Sequence, residues 1–188
     1  MSQILLPRVR NDVAQNKKLN SHHYDALKKS IYKPAAFFKG IVLALCDEHD
    51  CTLKEATIVA SVVGKMSVPV LHSAAALLKL AQQDYSGPRS IFIKTLLDKK
   101  YALPQRVVDT MVEYFERFHG SRERLPVLWH QSLLVFAQRY KTEITPEQRQ
   151  KLTALLEDQH HDQISAEIAR ELEQGASLAA GPHSMDVN

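Results

Sequence analysis

The sequence predicts an all-α protein, in which antiparallel helical hairpins stack into an irregular α-solenoid of the HEAT-like type. Three observations lead to this prediction. Prolines recur directly ahead of apolar stretches, the apolar residues of those stretches repeat every three or four positions, and the links between the stretches are short. The chain also lacks the Asn-Gly, Asp-Gly and Gly-Gly pairs that are typical of tight β-hairpins.

Prolines mark the predicted helix starts, because proline fits the first turn of a helix but disrupts its interior. The six that stand ahead of helix-patterned stretches are Pro34, Pro69, Pro88, Pro104, Pro126 and Pro146. With the patterns between them, they predict helices over residues 6–18, 21–32, 34–47, 53–66, 69–84, 88–99, 104–118, 126–141, 146–157 and 165–173.

Two of these starts have a second signal. Thr52 is followed three residues later by Glu55, and Thr145 by Gln148, which is the spacing of a capping box at a helix N-terminus. The helix ends are less clearly marked, and Gly87 and Gly120 are the best candidates for them.

The distribution of apolar residues separates surface helices from central ones. Residues 108–118 and 164–172 carry apolar side chains along one face, as amphipathic surface helices do. Residues 53–63 and 127–137 are apolar nearly all round, which predicts helices that lie between others. The β-branched run from Ile58 to Val63 could form a strand, but no regular pattern of short strands supports that alternative, so we predict a helix.

Length and composition favour one helical domain over residues 1–174, followed by a disordered tail over residues 175–188 that is rich in small residues. No apolar segment is long enough to cross a bilayer, and no secretory signal pattern precedes the first helix. We therefore expect a soluble protein of the cytosol or nucleus that has no membrane partner.

Charge is distributed unevenly. Residues 1–40 contain eight Lys or Arg and two Asp, a net charge of +6, although the whole chain carries only +3. A basic end of this kind attracts phosphates or acidic protein surfaces. The alternative, a lysine-rich helix face that is merely solvated, fits the composition equally well.

The sequence contains no recognisable catalytic arrangement. Its six glycines are scattered, so no glycine-rich loop could surround a phosphate. His72 and Ser73 are adjacent, and adjacent residues of a helix point away from each other. We predict a protein that is not an enzyme, with no cofactor and no small-molecule substrate.

One cluster deserves testing as a metal site. Cys46, His49 and Cys51 lie close together among acidic residues, but zinc takes four ligands and no second Cys or His pair has suitable spacing. We predict a loop between helices that carries two reduced thiols and binds no metal.

Several long segments resemble those of the bystin family, proteins of small-ribosomal-subunit assembly. The similarity extends in one register over about residues 4–172. The segments that carry it are Leu5 to Arg10, Ile31 to Gly40, Ser67 to Ala76, Tyr85 to Gly87, Leu96 to Pro104, Leu125 to Gln131 and Gln138 to Lys141.

This resemblance implies a non-catalytic assembly factor of the small (40S) subunit that supports maturation of its rRNA. Its expected partners are small-subunit pre-rRNA, the precursor particle, ribosomal proteins of the subunit head and other assembly factors. Its expected location is the nucleolus and nucleus, with passage to the cytoplasm. Family members are longer, so we expect the first helices of this chain to expose an apolar face that a further segment covers.

Basic residues are the candidates for RNA binding, because lysine and arginine contact phosphates largely without reading sequence. They form two groups. The first is Arg8, Arg10, Lys17, Lys18, Lys28, Lys29, Lys33 and Lys39, and the second is Arg89, Lys94, Lys99, Lys100 and Arg106. Tyr101, near the second group, could stack on an unpaired base or could equally be buried.

Aromatic residues and histidines are the candidates for protein binding, with the core as the alternative location for most of them. They are Phe37, Phe38, His72, Tyr101, Trp129 and His130. The alternative function is a purely protein-binding helical scaffold that makes no direct contact with RNA.

Overall fold

A computed structural model describes residues 2–179, and all the regular secondary structure in that range is helical, so the all-α prediction is confirmed. The elements are α1 (Ser2–Asn16), α2 (Ser21–Ser30), α3 (Pro34–Phe37), a π-helical segment (Phe38–Leu43), α4 (Ala44–Asp47), α5 (Leu53–Lys65), α6 (Val70–Ala81), α7 (Gly87–Asp98), α8 (Gln105–Glu116), α9 (Val127–Tyr140), α10 (Pro146–Asp158) and α11 (Ser165–Ala179).

Both predicted capping boxes are confirmed. At the start of α5, the Glu55 amide donates to Thr52 Oγ1 at 3.2 Å, while the Thr52 amide donates to Glu55 Oε2 at 2.7 Å. At the start of α10, Thr145 and Gln148 exchange the same pair of bonds at 3.2 and 3.0 Å. Each box satisfies two amides that a helix N-terminus would otherwise leave unpaired.

The prolines lie at helix starts as predicted, whereas one of the two glycines does not end a helix. Gly87 is the first residue of α7, and a Cβ at this position would lie 2.5 Å from Leu53 Cδ2. A side chain at this position would have to displace the end of the Leu53 side chain at the start of α5, and the predicted helix end at Gly87 is wrong. Gly120 follows the turn after α8 with a φ of +72°, the left-handed conformation expected where a helix terminates.

The helices form two rows between which the chain alternates. In one row α2 contacts α5, α5 contacts α7, α7 contacts α9, and α9 contacts α11. In the other row the π-helical segment contacts α6, α6 contacts α8, and α8 contacts α10. Helix α1 packs against α2, the π-helical segment and α5 at one end of the molecule.

Aromatic residues fill the core between α8 and α9. The Phe115 ring lies 5.7 Å from Trp129 and 5.6 Å from Phe136, measured between ring centroids. The Phe118 ring lies 5.8 Å from Trp129. Trp129 and Phe136 of α9 are completely buried, as predicted for a helix that is apolar nearly all round, and Phe115 on the apolar face of α8 is buried against them.

The two ends of the chain differ from the predictions. Helix α1 begins at Ser2 and buries Leu6, Val9 and Val13, so it presents little of the open apolar face that we expected, although Ile4 is exposed. Helix α11 continues to Ala179, and Gly175 within it packs closely on Lys141, whose carbonyl oxygen would lie 2.5 Å from a Cβ. Residues 175–179 are thus helical, and the remainder of the predicted tail, residues 180–188, lies outside the described residues.

Candidate nucleic-acid surface

The predicted RNA-binding surface is built on the hairpin of α1 and α2, whose connection is held by one carboxylate. Asp12 accepts hydrogen bonds from the Asn20 amide at 2.7 Å and from Asn16 Nδ2 at 2.7 Å, and its Oδ2 lies 2.9 Å from His23 Nδ1. The bond to His23, followed by those to Asn20 and Asn16, lowers the Asp12 pKa to about 2. Asp12 therefore stays charged and holds the two helices together across the link.

The link itself carries two of the predicted basic residues. Lys17 has a φ of +57°, and its amide donates to the Val13 carbonyl at 3.0 Å as the chain leaves α1. Lys18 follows directly, and both side chains are exposed. Asn20 then caps α2 by accepting from the His22 amide at 2.8 Å.

Most cations of the first group are available to a partner. Within residues 2–179, six of them have exposed side chains that make no hydrogen bond or ion pair. These are Arg8, Lys17, Lys18, Lys29, Lys33 and Lys39. Lys28 is partly buried, since it pairs with Asp25 at 3.2 Å and lies 5.0 Å from the centroid of the Tyr24 ring.

Arg10 is occupied inside the protein, which corrects its assignment to the RNA surface. Its Nε donates to Glu55 at 2.9 Å, Nη2 donates to Asp50 at 2.8 Å, and Nη1 lies 3.7 Å from Glu48. These hydrogen bonds, first that to Glu55 and then that to Asp50, raise the Arg10 pKa above its already high value. Arg10 thus ties α1 to the start of α5.

Glu55 is the buried partner in this network. Burial by itself would raise the Glu55 pKa, but the hydrogen bonds from Thr52 and Arg10 outweigh burial, so the pKa lies below its ordinary value. The same carboxylate therefore completes the capping box of α5 and neutralises Arg10.

The second predicted group is largely committed to tertiary contacts. Lys99 Nζ donates to the carbonyls of Met66 at 2.7 Å and Val63 at 3.0 Å, so it caps the end of α5. Arg89 donates to the carbonyls of Asp84 at 2.7 Å and Cys46 at 3.0 Å. These contacts correct the RNA-binding assignment of both residues.

Two members of the second group remain exposed. Lys100, at a φ of +56°, and Arg106 make no side-chain hydrogen bond or ion pair among the described residues. Lys94 is partly buried and donates to Gln131 Oε1 at 3.0 Å. The second group therefore offers fewer free cations than the hairpin.

Tyr101, like Lys99, is engaged in contacts within the protein. Its hydroxyl accepts a hydrogen bond from the Val68 amide at 3.1 Å, and Lys99 Nζ lies 5.4 Å from its ring centroid. A hydrogen-bonded ring that already has a cation near it is poorly placed to stack on a base. Tyr101 instead connects the link after α5 to the link after α7.

Four of the predicted protein-binding residues lie in the core, which removes them from any contact surface. Phe37, Phe38, Trp129 and His130 are between 0% and 5% exposed. The ring nitrogens of His130 lie 3.2 Å from the Pro126 carbonyl and 3.0 Å from the Gln159 carbonyl. The partly exposed His72 stands beside Leu71, a leucine that is 77% exposed on α6.

A surface cavity of ≈ 370 Å³ is lined by the candidate metal cluster, Cys46, His49 and Cys51, together with Arg89 and Tyr85. Burial raises the pKa of Cys46 to about 12 and that of Cys51 to about 11. Both cysteines are therefore uncharged thiols near neutral pH, whereas the thiolate is the form that binds metals and attacks substrates. Across residues 2–179, no group of three His, Cys, Asp or Glu side chains is arranged to hold a metal ion.

Tyr32, which no sequence pattern singled out, is the most exposed of the large apolar side chains in the described residues. It lies in the turn between α2 and α3 and is 94% exposed. Its neighbours Lys29 and Lys33 are both exposed. The available signal was the placement of an aromatic residue directly after the basic end of α2 and two residues before Pro34.

None of the helices in the described part of the chain combines the length and the hydropathy that a membrane crossing requires.

Comparison with known proteins gives one consistent result. The family model described as Bystin matches residues 1–180. Proteins named Bystin from Monosiga brevicollis and Rattus norvegicus are each 56% identical to the chain, over 93% and 90% of its length. Bystin from Homo sapiens is 55% identical over 90% of the chain. The matched region is 42% of the Monosiga protein and 39% of each of the other two, so the chain spans about two fifths of their length.

Proposed function

The chain belongs to the bystin family, and on that premise we propose that it is part of a non-catalytic assembly factor for the small (40S) ribosomal subunit. In this proposal its helical rows form an irregular HEAT-like solenoid that contacts pre-rRNA and ribosomal or assembly proteins. It acts on the precursor particle in the nucleolus and nucleus and travels with it to the cytoplasm.

The observation that carries the proposal is the group of free cations at one end of the molecule. Arg8, Lys17, Lys18, Lys29, Lys33 and Lys39 have no intramolecular partner in residues 2–179. A cation without a partner can approach a phosphate without breaking an existing hydrogen bond, and each contact releases counterions from the RNA. Nearly all of these residues lie on or beside the α1–α2 hairpin.

The direct test is a titration of the chain with a fluorescent fragment of small-subunit pre-rRNA at several salt concentrations. Reversing the charges of Arg8, Lys17, Lys18 and Lys29 to Glu should abolish binding, and the wild-type affinity should fall steeply as salt rises. The matched control makes the same change in net charge at exposed positions elsewhere: Lys79, Arg122, Arg124 and Arg170.

The control variant should retain most of the affinity, because its four cations lie outside the hairpin. Equal losses in both variants would mean that RNA responds only to overall charge, and would overturn the assignment to the hairpin. Absence of wild-type binding at low salt would overturn direct RNA contact.

One observation favours the second candidate, a protein-binding scaffold without RNA contact. The exposed cations of the hairpin would attract an acidic protein surface as readily as phosphates, and Leu71, 77% exposed on α6 beside the partly exposed His72, adds one apolar side chain to the surface. In this case an acidic protein segment would meet the basic hairpin, and structured rRNA would not bind.

A further inference from the structure

We infer that Tyr32 is a stacking platform for an unpaired RNA base, held between phosphates that Lys29 and Lys33 bind. This inference rests on the proposed RNA contact and makes it more specific, since it assigns single-stranded RNA to the turn between α2 and α3. Tyr32 is 94% exposed, the highest exposure among the large apolar side chains of the described residues.

Backbone hydrogen bonds hold the turn that carries Tyr32. The amides of Ile31, Tyr32 and Lys33 donate to the carbonyls of Lys28, Lys29 and Ser30 at 3.3, 3.2 and 3.1 Å. Three consecutive hydrogen bonds of this kind fix the backbone on both sides of the tyrosine. Its side chain therefore projects from a defined position and not from a loose loop.

Buried side chains anchor the turn on each side of Tyr32. Ile31 is 5% exposed, and Phe37 in the following helix is 2% exposed. The Ser30 hydroxyl is also buried and donates to the Leu27 carbonyl at 2.6 Å. Because its neighbours are held in the core, the Tyr32 ring remains outside, and binding requires little further ordering of the chain.

Charge and aromatic character coincide at this turn. Lys29 and Lys33 are exposed and make no side-chain hydrogen bond or ion pair in residues 2–179. A positively charged surface combined with an accessible aromatic ring is the arrangement by which proteins bind single-stranded nucleic acid with little dependence on sequence. Bases in a duplex are stacked on one another, so a single ring at the surface selects unpaired ones.

The nearby Tyr24 differs from Tyr32, because its side chain is engaged by other residues of the fold. Its hydroxyl lies 3.3 Å from Ser61 Oγ, and Lys28 and Lys65 lie 5.0 and 5.6 Å from its ring centroid. Both its hydroxyl and its ring therefore have partners inside the fold. No comparable contact to Tyr32 occurs among the described residues.

The test compares two fluorescent probes of equal length, a single-stranded oligouridine and a fully paired RNA. We would measure the binding of each by wild type, Tyr32→Ala and Tyr32→Phe. Leu71→Ala is the matched control, because it removes an exposed apolar side chain from α6. Unchanged thermal unfolding of all variants would verify that they fold.

Tyr32→Ala should weaken binding of oligouridine by about 5- to 150-fold, which corresponds to the usual contribution of one stacked base. The slope of affinity against salt should stay the same, because no charge is removed. Tyr32→Phe and Leu71→Ala should bind like wild type, and the paired RNA should not distinguish Tyr32→Ala from wild type.

Failure of this inference differs visibly from failure of the proposed function. If wild type binds oligouridine and Tyr32→Ala binds it equally well, stacking is overturned while RNA contact stands. An equal loss on the paired RNA would also overturn stacking. If wild type binds neither probe at low salt, RNA contact and the stacking inference both fail.

Discussion

Helices α9 and α2 use similar residue types for opposite purposes. Helix α9 buries eight of its fourteen residues, and these include all its aromatic residues and the polar His130 and Ser132. Helix α2 buries only Leu27 and Ser30 and is followed directly by an exposed tyrosine and Lys33. The difference teaches that residue type alone does not decide which side chains are buried, because His130 and Tyr140 of α9 lie in the core whereas Tyr32, two residues after α2, is 94% exposed.

The largest effect expected from this comparison is at the centre of α9. Trp129→Ala should reduce the free energy of unfolding by about 3–5 kcal/mol, because it removes a fully buried side chain and leaves a cavity between α8 and α9. Urea denaturation would measure it. Val127→Ala, at a position that is 43% exposed on the same helix, is the control and should have a much smaller effect. Equal losses would mean that α9 is not the centre of the core.

The second-largest loss of stability is expected at a glycine of α11. Gly175→Ala should cost about 1–3 kcal/mol, because its Cβ would collide with the Lys141 carbonyl and push α11 away from α9. Gly64→Ala is the opposite control, since its nearest neighbour, Thr95 Cγ2, would be at 3.5 Å and alanine favours the helix. Gly175→Ala should therefore unfold at lower urea concentration than wild type, and Gly64→Ala at higher. If Gly175→Ala were as stable as wild type, α11 would not pack closely on Lys141.

The junction of α1 with α5 should depend on pH. The pKa of Glu55 in the folded protein lies below its ordinary value, so its stabilising contribution is present above that ordinary value, about 4.5, and is lost as pH falls through the lowered pKa. Glu55→Gln should cost about 1 kcal/mol near neutral pH, the difference between a charged and an uncharged hydrogen-bond acceptor. It should also flatten the acid limb of stability against pH.

The control for that experiment is Glu113→Gln, which neutralises an exposed carboxylate on α8. Its curve should follow that of wild type. If the stability of Glu55→Gln also followed that of wild type across the acid range, the ion pair between Arg10 and Glu55 would make no contribution to stability.

The smallest effect on stability should come from the basic end. Lys29→Ala and Lys33→Ala should change the free energy of unfolding by less than about 0.5 kcal/mol, because these exposed side chains make no hydrogen bond or ion pair in the described structure. Thermal unfolding would measure the changes. A substantial loss would show that the two lysines stabilise the fold, and would weaken the argument that they are kept free for a partner.

The order of the helices was largely predictable because its signals are local. Capping residues, prolines and apolar periodicity each act within a few positions, so Thr52 with Glu55 marked the start of α5 without any knowledge of its neighbours. Gly87 was misread because close approach to Leu53 is a contact between residues distant in sequence. The close contact of Gly175 with Lys141, within the part of α11 that extends to Ala179, likewise joins residues distant in sequence.

The sequence by itself determined the helical class, the approximate positions of most helices, the basic first 40 residues and the similarity to the bystin family, which the comparisons confirm. Only the tertiary structure decided which cations and aromatic rings are free. Arg10 and Lys99 look like any other basic residues in the sequence, but each faces an oxygen supplied from a distant position. An ion pair or a capped carbonyl depends on how helices pack, and local sequence patterns do not specify that packing.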